Sequence, residues 1–282
     1  MGYSGGKVEL PVVRDLLRLD LQYYNADDPQ FLDEVVHKLK IGAKQVIARP
    51  KLLLEAVRKF DLSALFIPDR KRILVDDSVP TLKKRWYESH EVGHSLIPWH
   101  AEYMHGDDRT TLSQACHEII ESEANYGAGR LLFPSATFTE ARRSSPITMA
   151  QVRALASYFG NTITSTLWRC VEQSEGISFA AIGEHPHHAR EEKPQIEYFV
   201  CSGTFERQFE NVRETDIWEW MKTYCQYTRI GPIGSSEIVV SDVTGKEHVF
   251  SIESFSNKHS VLTLGCWAGQ KNVQVHVSNF PG

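Results

Sequence analysis

His90-Glu91-Val92-Gly93-His94, within the longer run Arg85-Trp-Tyr-Glu-Ser-His-Glu-Val-Gly-His-Ser-Leu-Ile97, decides how this 282-residue chain is read. On a helix, positions i and i+4 share a face, so His90 and His94 can present two imidazoles to one ion. Glu91 then sits beside the open position of that ion, where a carboxylate can take a proton from a water. Val92 and Gly93 are small, and Gly93 permits close approach of another backbone. Leu82, Trp86, Leu96 and Ile97 supply an apolar side to the same helix.

Working outward, Arg72-Ile-Leu-Val-Asp76 reads as a short strand ending in an acidic turn. Pro80 follows Ser78 and suits a helix start, so the motif helix is expected over about 80–97. Pro98 cannot continue it. A strand just before the motif helix offers an edge to which an extended peptide could add. Residues 101–110 are polar and read as a loop. Thr111-Leu-Ser-Gln114 has the capping-box pattern, and the second helix runs to Leu132, ahead of Pro134. Ala124, Gly127, Ala128 and Gly129 cost that helix propensity, which makes sense if it packs closely on another helix such as the motif helix.

A catalytic zinc site takes three protein ligands and keeps one position for water. Two readings of the third ligand compete. His100 has the spacing of HExxHxxGxxH, but Ile97 stands where glycine makes the sharp turn. The other is Glu121 on the second helix, with Asn125 one turn on to hold the outer nitrogen of an imidazole. Glu123 points elsewhere and is the weaker carboxylate; His117 shares the Glu121 face and reads as an exposed helix histidine. A further donor to the oxyanion is expected from Tyr126, His117, His105 or Arg130, Tyr126 reading more readily as a core aromatic.

The strand, the His-Glu-Val-Gly-His helix and the run Glu121-Ser-Glu-Ala-Asn-Tyr-Gly-Ala-Gly-Arg-Leu-Leu-Phe-Pro134 together resemble the ImmA/IrrE family of metallopeptidases. Glu121, Ala124-Asn125, Ala128 and Leu131-Leu132-x-Pro134 match its pattern, over roughly residues 70–175. Gly127 replaces the usual phenylalanine. The resemblance implies metal ligands His90, His94 and Glu121, Glu91 as general base, Asn125 behind a ligand, and Zn²⁺ as cofactor. It also implies a protein substrate, in some members a helix-turn-helix transcriptional repressor, and hence a role in transcription regulation.

The expected fold class is α+β. A mainly helical, zincin-like metallopeptidase domain with a small sheet spans 1–145, residues 8–66 of it reading as mainly helical at Leu10–Leu19, Phe31–Leu39 and Leu52–Phe60. Two helices broken at Gly160-Asn161 follow over 146–175, in a helix-turn-helix-like outline with only Arg153 and Arg169 as basic residues. An α+β domain, sensory or substrate-binding, closes the chain over 176–282, with strands at 196–200, 238–243, 249–252, 261–264 and 273–277 and a helix around Trp218 and Trp220. A net charge of −5 argues against non-specific nucleic-acid binding, and no apolar run is long enough for a membrane span. Five scattered cysteines without CxxC spacing and no secretory leader point to the cytoplasm. Glu184-His-Pro-His-His188 reads as a solvated loop rather than a second metal site. The competing function is a metal-containing regulatory protein that docks a transcription factor or DNA through the 148–172 helices without proteolysis.

Overall fold

The computed structural model describes residues 6–25, 64–105, 114–142, 147–187 and 195–271. The helices expected at 31–39 and 52–60, the Thr111 cap and the strand at 273–277 lie outside the described residues. The chain divides into two compact units, Met1–Glu140 with Tyr158–Thr162, and Ala141–Ser157 with Ile163–Gly282. Its architecture is mixed α+β, with one sheet in each unit among the described residues.

The first unit opens with α1 (Leu10–Leu17), begun by Pro11 and ended by Arg18 in the left-handed region. β1 (Asp20–Tyr24) follows, and β2 (Ala64–Ile67) and β3 (Arg72–Asp76) complete a three-stranded sheet in the order β1-β3-β2. β1 runs parallel to β3 and β2 antiparallel to it. The mainly helical reading of 8–66 is therefore corrected at its two ends: Asp20–Tyr24 and Ala64–Ile67 are strands, each only four or five residues long and too short to reveal alternation. The free edge expected on Arg72–Asp76 is also corrected. β3 has a partner on each side, which is why its Ile73, Leu74 and Val75 form an unbroken apolar run, all buried.

α2 (Thr81–Leu96) carries the His-Glu-x-x-His motif and lays Val92 and Tyr87 on Ile73, Val75, Phe66, Ala64 and Leu19. It ends at Ile97 in an extended conformation, and Pro98 starts a new helix, α3 (Pro98–His105). The loop expected from residue 101 thus begins later, because proline is as good a helix starter as it is a stopper. α4 (Gln114–Leu132) and α5 (Ser135–Arg142, whose last two residues belong to the second unit) follow. Phe133, Phe138 and Phe159 pack with ring centroids 5.1 to 6.2 Å apart. Asn161 Nδ2 donates to the last-turn carbonyl of Leu132, and Arg85 donates to Asn161 Oδ1 and to the Val8 carbonyl.

The second unit contains α6 (Met149–Phe159, whose last two residues belong to the first unit) and α7 (Ile163–Glu172), separated by Gly160 at φ 65°. Its five-stranded antiparallel sheet has the order β5-β4-β8-β7-β6, from β4 (Ser178–Gly183), β5 (Ile196–Cys201), β6 (Ile230–Ser241), β7 (Glu247–Asn257) and β8 (Val261–Gln270). β4 is buried along its whole length between two neighbours and shows no alternation in sequence. α8 (Gly203–Gln208) and α9 (Glu214–Tyr224) supply Phe205, Ile217, Trp218 and Met221 to a core shared with Phe179, Phe250 and Ile252. Trp218 is buried and Trp220 is packed at the margin of that core.

Candidate metal centre

Helix geometry puts His90 and His94 on one face of α2, and a close helix crossing brings Glu121 to them. A Cβ on Gly93 would lie 2.8 Å from the Ala124 carbonyl oxygen, so only glycine lets α4 approach this closely. Gly127 answers from the other side, with its own notional Cβ 3.3 Å from Gly93 Cα. The small residues of α4 are therefore the contact surface, and Glu121 and Asn125 flank it in sequence.

Three ligand atoms converge there. His90 Nε2 and His94 Nε2 lie 3.0 Å apart; Glu121 Oε2 is 3.2 Å from His90 Nε2 and Glu121 Oε1 is 3.7 Å from His94 Nε2. A tetrahedral ion with bonds of about 2.0–2.1 Å separates its ligand atoms by roughly 3.3 Å. Two imidazoles and a carboxylate at these spacings fit a zinc-type ion, and they form the one such group of three among the described residues. His90 Nδ1 is 3.0 Å from Asn125 Oδ1, an acceptor that leaves Nε2 free to ligate. His100 does not join the three. It is buried behind His94, Nδ1 to Nδ1 at 3.0 Å, and its Nε2 is 3.0 Å from Glu123 Oε2. His100 as third ligand is thus not the arrangement found, and the extended Ile97 rather than a glycine turn sends it there.

Glu91 is buried next to this face, and its carboxylate accepts a hydrogen bond from the backbone N–H of Phe66 on β2. Burial pushes it up to about 7, against the pull of His90 and with a further push from Glu121. Burial alone would lower His90; its hydrogen bond to Glu121 and the charges of Glu91 and Glu121 outweigh that and raise it. Glu121 and Asn125 face water more than His94 and Glu91 do, so the cluster opens on the α4 side.

Other expectations fare differently. Tyr126 is 63% exposed and not a core aromatic; Arg130 lies over its ring at 5.8 Å. The side chains of His105 and His117 lie outside the described residues. His185 and His187 hydrogen-bond the carbonyls of Gln226 and Cys225, a structural use that accounts for the His-rich loop without a metal. Arg153 sits over Phe255 and Arg169 pairs with Glu172, so both basic residues of the helix pair are engaged. Sequence reasoning missed Phe66, because β2 gave no pattern, and missed the His100–Glu123 contact, because it spans a helix break and 23 residues.

A helix bearing His-Glu-x-x-His is backed by a three-stranded sheet and crossed by a helix that adds a carboxylate, a candidate metal-binding domain. Residues 44–170 match the family model of the IrrE N-terminal-like domain, so this part of the chain is similar to the ImmA/IrrE family. No curated protein matches the chain. Among solved structures, one described as a Mycobacterium tuberculosis transcriptional regulator is similar, with a TM-score of 0.48 and 14% identity, over 92% of this chain and 79% of that one.

Proposed function

We propose that this protein is a zinc-dependent endopeptidase with a zincin-like catalytic domain, cutting a specific protein, a helix-turn-helix transcriptional repressor being the substrate class that the family relationship favours. The observation that carries the reading is the convergence of His90, His94 and Glu121 beside a buried carboxylate, Glu91.

A zinc ion held by these three atoms supplies Lewis acidity, which makes a water nucleophilic at neutral pH and stabilises charge on a carbonyl oxygen. Glu91 is the general base. It takes the water proton as the carbonyl is attacked and passes it to the leaving amine. The backbone N–H of Phe66 favours its charged form. Burial keeps its affinity for a proton close to that needed near neutrality, so it both accepts and releases. Among the described residues β2 is an outer strand of its sheet, and its outer edge, rather than β3, suits an extended peptide that adds as a further strand. The second unit, with the α6–α7 pair, is assigned to substrate choice or to sensing the signal that permits cleavage. No helix of the described residues is long and apolar enough to cross a membrane, and all five cysteines are free, which supports work in the cytoplasm.

The test is proteome-wide mapping of new protein N-termini in cells that express the zinc-loaded protein or its Glu91→Gln variant. New termini confined to one or a few proteins, and lost in the variant, are expected, while unfolded casein stays intact. Identical termini with both proteins would sink proteolysis and leave a docking protein.

A further inference from the structure

We infer that His100 and Glu123 form a positioning relay that fixes the protonation pattern of His94 and so prepares it to ligate. The inference rests on the metal-centre reading above. A histidine that ligates through Nε2 must carry its proton on Nδ1. His94 Nδ1 faces another ring nitrogen, His100 Nδ1, at 3.0 Å, so one of the two donates and the other accepts. His100 Nε2 is 3.0 Å from Glu123 Oε2. An ionised carboxylate only accepts. His100 therefore keeps its proton on Nε2 and presents the lone pair of Nδ1 to His94, whose proton is drawn to Nδ1. The lone pair of His94 Nε2 is left facing His90 and Glu121.

The reverse pattern would set a lone pair of His100 against the Glu123 carboxylate. His100 is fully buried, whereas the Glu123 side chain is 43% exposed. Trp99 packs edge-on to the His100 ring, with centroids 4.6 Å apart and an interplanar angle of 85°, which holds the ring in register. The two ligating histidines are thus held differently. His90 is backed by a neutral amide, Asn125, and His94 by a second imidazole with a carboxylate behind it. Neither His100 nor Glu123 touches the reacting atoms.

The experiment is zinc titration against a competing chelator on the full chain, for wild type, His100→Phe, Glu123→Leu and Glu123→Gln, with nitrogen-15 imidazole spectra of the metal-free proteins. Expected are a roughly ten- to hundredfold loss of zinc affinity in His100→Phe and Glu123→Leu and near wild-type affinity in Glu123→Gln, whose amide oxygen still accepts. In the spectra, His94 should carry its proton on Nδ1 in wild type and share it with Nε2 in Glu123→Leu. Should His100→Phe fail to fold, the half-exposed Glu123 variants carry the test. Equal zinc affinity in all folded variants, or a wild-type His94 protonated on Nε2, would overturn the relay and leave the metal centre standing. A wild type that takes up no zinc would overturn the metal centre and the relay with it.

Discussion

Gly93 of α2 and the Ala124 carbonyl of α4 meet so closely that a methyl group on Gly93 would sit 2.8 Å from the oxygen. The neighbour is backbone and cannot swing aside. Gly93→Ala should therefore push the two helices apart, at a cost of about 1–3 kcal/mol in stability. Because Glu121 and Asn125 ride on α4, the same displacement should weaken zinc binding. Denaturant unfolding and zinc titration on one sample check both, and an unchanged zinc affinity would show that the crossing does not set the site.

Glu121→Ala removes one of the three converging atoms, and zinc should be lost from the purified protein. His100→Ala leaves all three in place, and a weakened site should still take one ion per chain. Elemental analysis of the two variants beside wild type separates them. Zinc lost with His100 and kept with Glu121 would mean that the ion sits deeper than the three atoms suggest.

The pentapeptide His90–His94 pointed to the candidate site because a helix turns a spacing of four into a shared face. Glu121 and Asn125 were legible too, since they lie one turn apart on a helix whose small residues announced a tight crossing. His100 was visible as a histidine but not in its place: Ile97 and Pro98 break the helix, and after such a break periodicity no longer says where a side chain goes. β1 and β2 were hidden by brevity, and with β2 went the Phe66 N–H that holds Glu91. β4 was hidden by complete burial, which erases the alternation that marks a strand with one wet face. In the second unit, β7 and β8 were found where apolar runs lie between turn residues, and α9 where Trp218 and Trp220 mark it.

Arg14 Nε donates to Glu88 Oε1 at 2.6 Å, joining α1 to the motif helix one turn and a half before His94. Burial raises the Glu88 carboxyl, and the Arg14 charge and hydrogen bond pull it part of the way back. Arg14→Ala strips off that pull and should cost roughly 1–3 kcal/mol near neutral pH, less than a fully buried pair because both side chains keep some contact with water. The sign with pH follows from the raised carboxyl. The penalty of a charged, unpaired Glu88 is absent where the group is protonated and grows as pH rises from the ordinary carboxylate range. The variant should therefore lie closer to wild type at pH 5 than at pH 8, and adding Glu88→Gln should recover part of the loss at pH 8. Denaturant midpoints at the two values read this; a loss independent of pH would assign the effect to Arg14 packing alone.

Asp242 organises the β6–β7 turn. Its Oδ1 accepts from Thr244 N, Thr244 Oγ1 and Lys246 N at 2.7 to 2.9 Å, while Oδ2 is 3.0 Å from His248 Nε2. The Thr244 hydroxyl above all, and then His248 and the two backbone N–H groups, hold the carboxyl well below its ordinary value of 3.8, against a smaller opposing effect of desolvation. A depressed carboxyl contributes stability that is present above its unfolded value and is lost as pH falls through the folded one. Wild type should accordingly lose stability in the second unit as the solution is taken below about pH 4. Asp242→Asn keeps the size of the side chain but not its charge, so it should be less stable at pH 7 and show a flatter decline in acid. Hydrogen exchange of the β6 and β7 amides across pH 3 to 7, corrected for intrinsic exchange rates, follows the unit directly. Parallel wild-type and Asp242→Asn profiles would mean that the turn holds by backbone geometry, with Gly245 at φ 82° sufficient to close it.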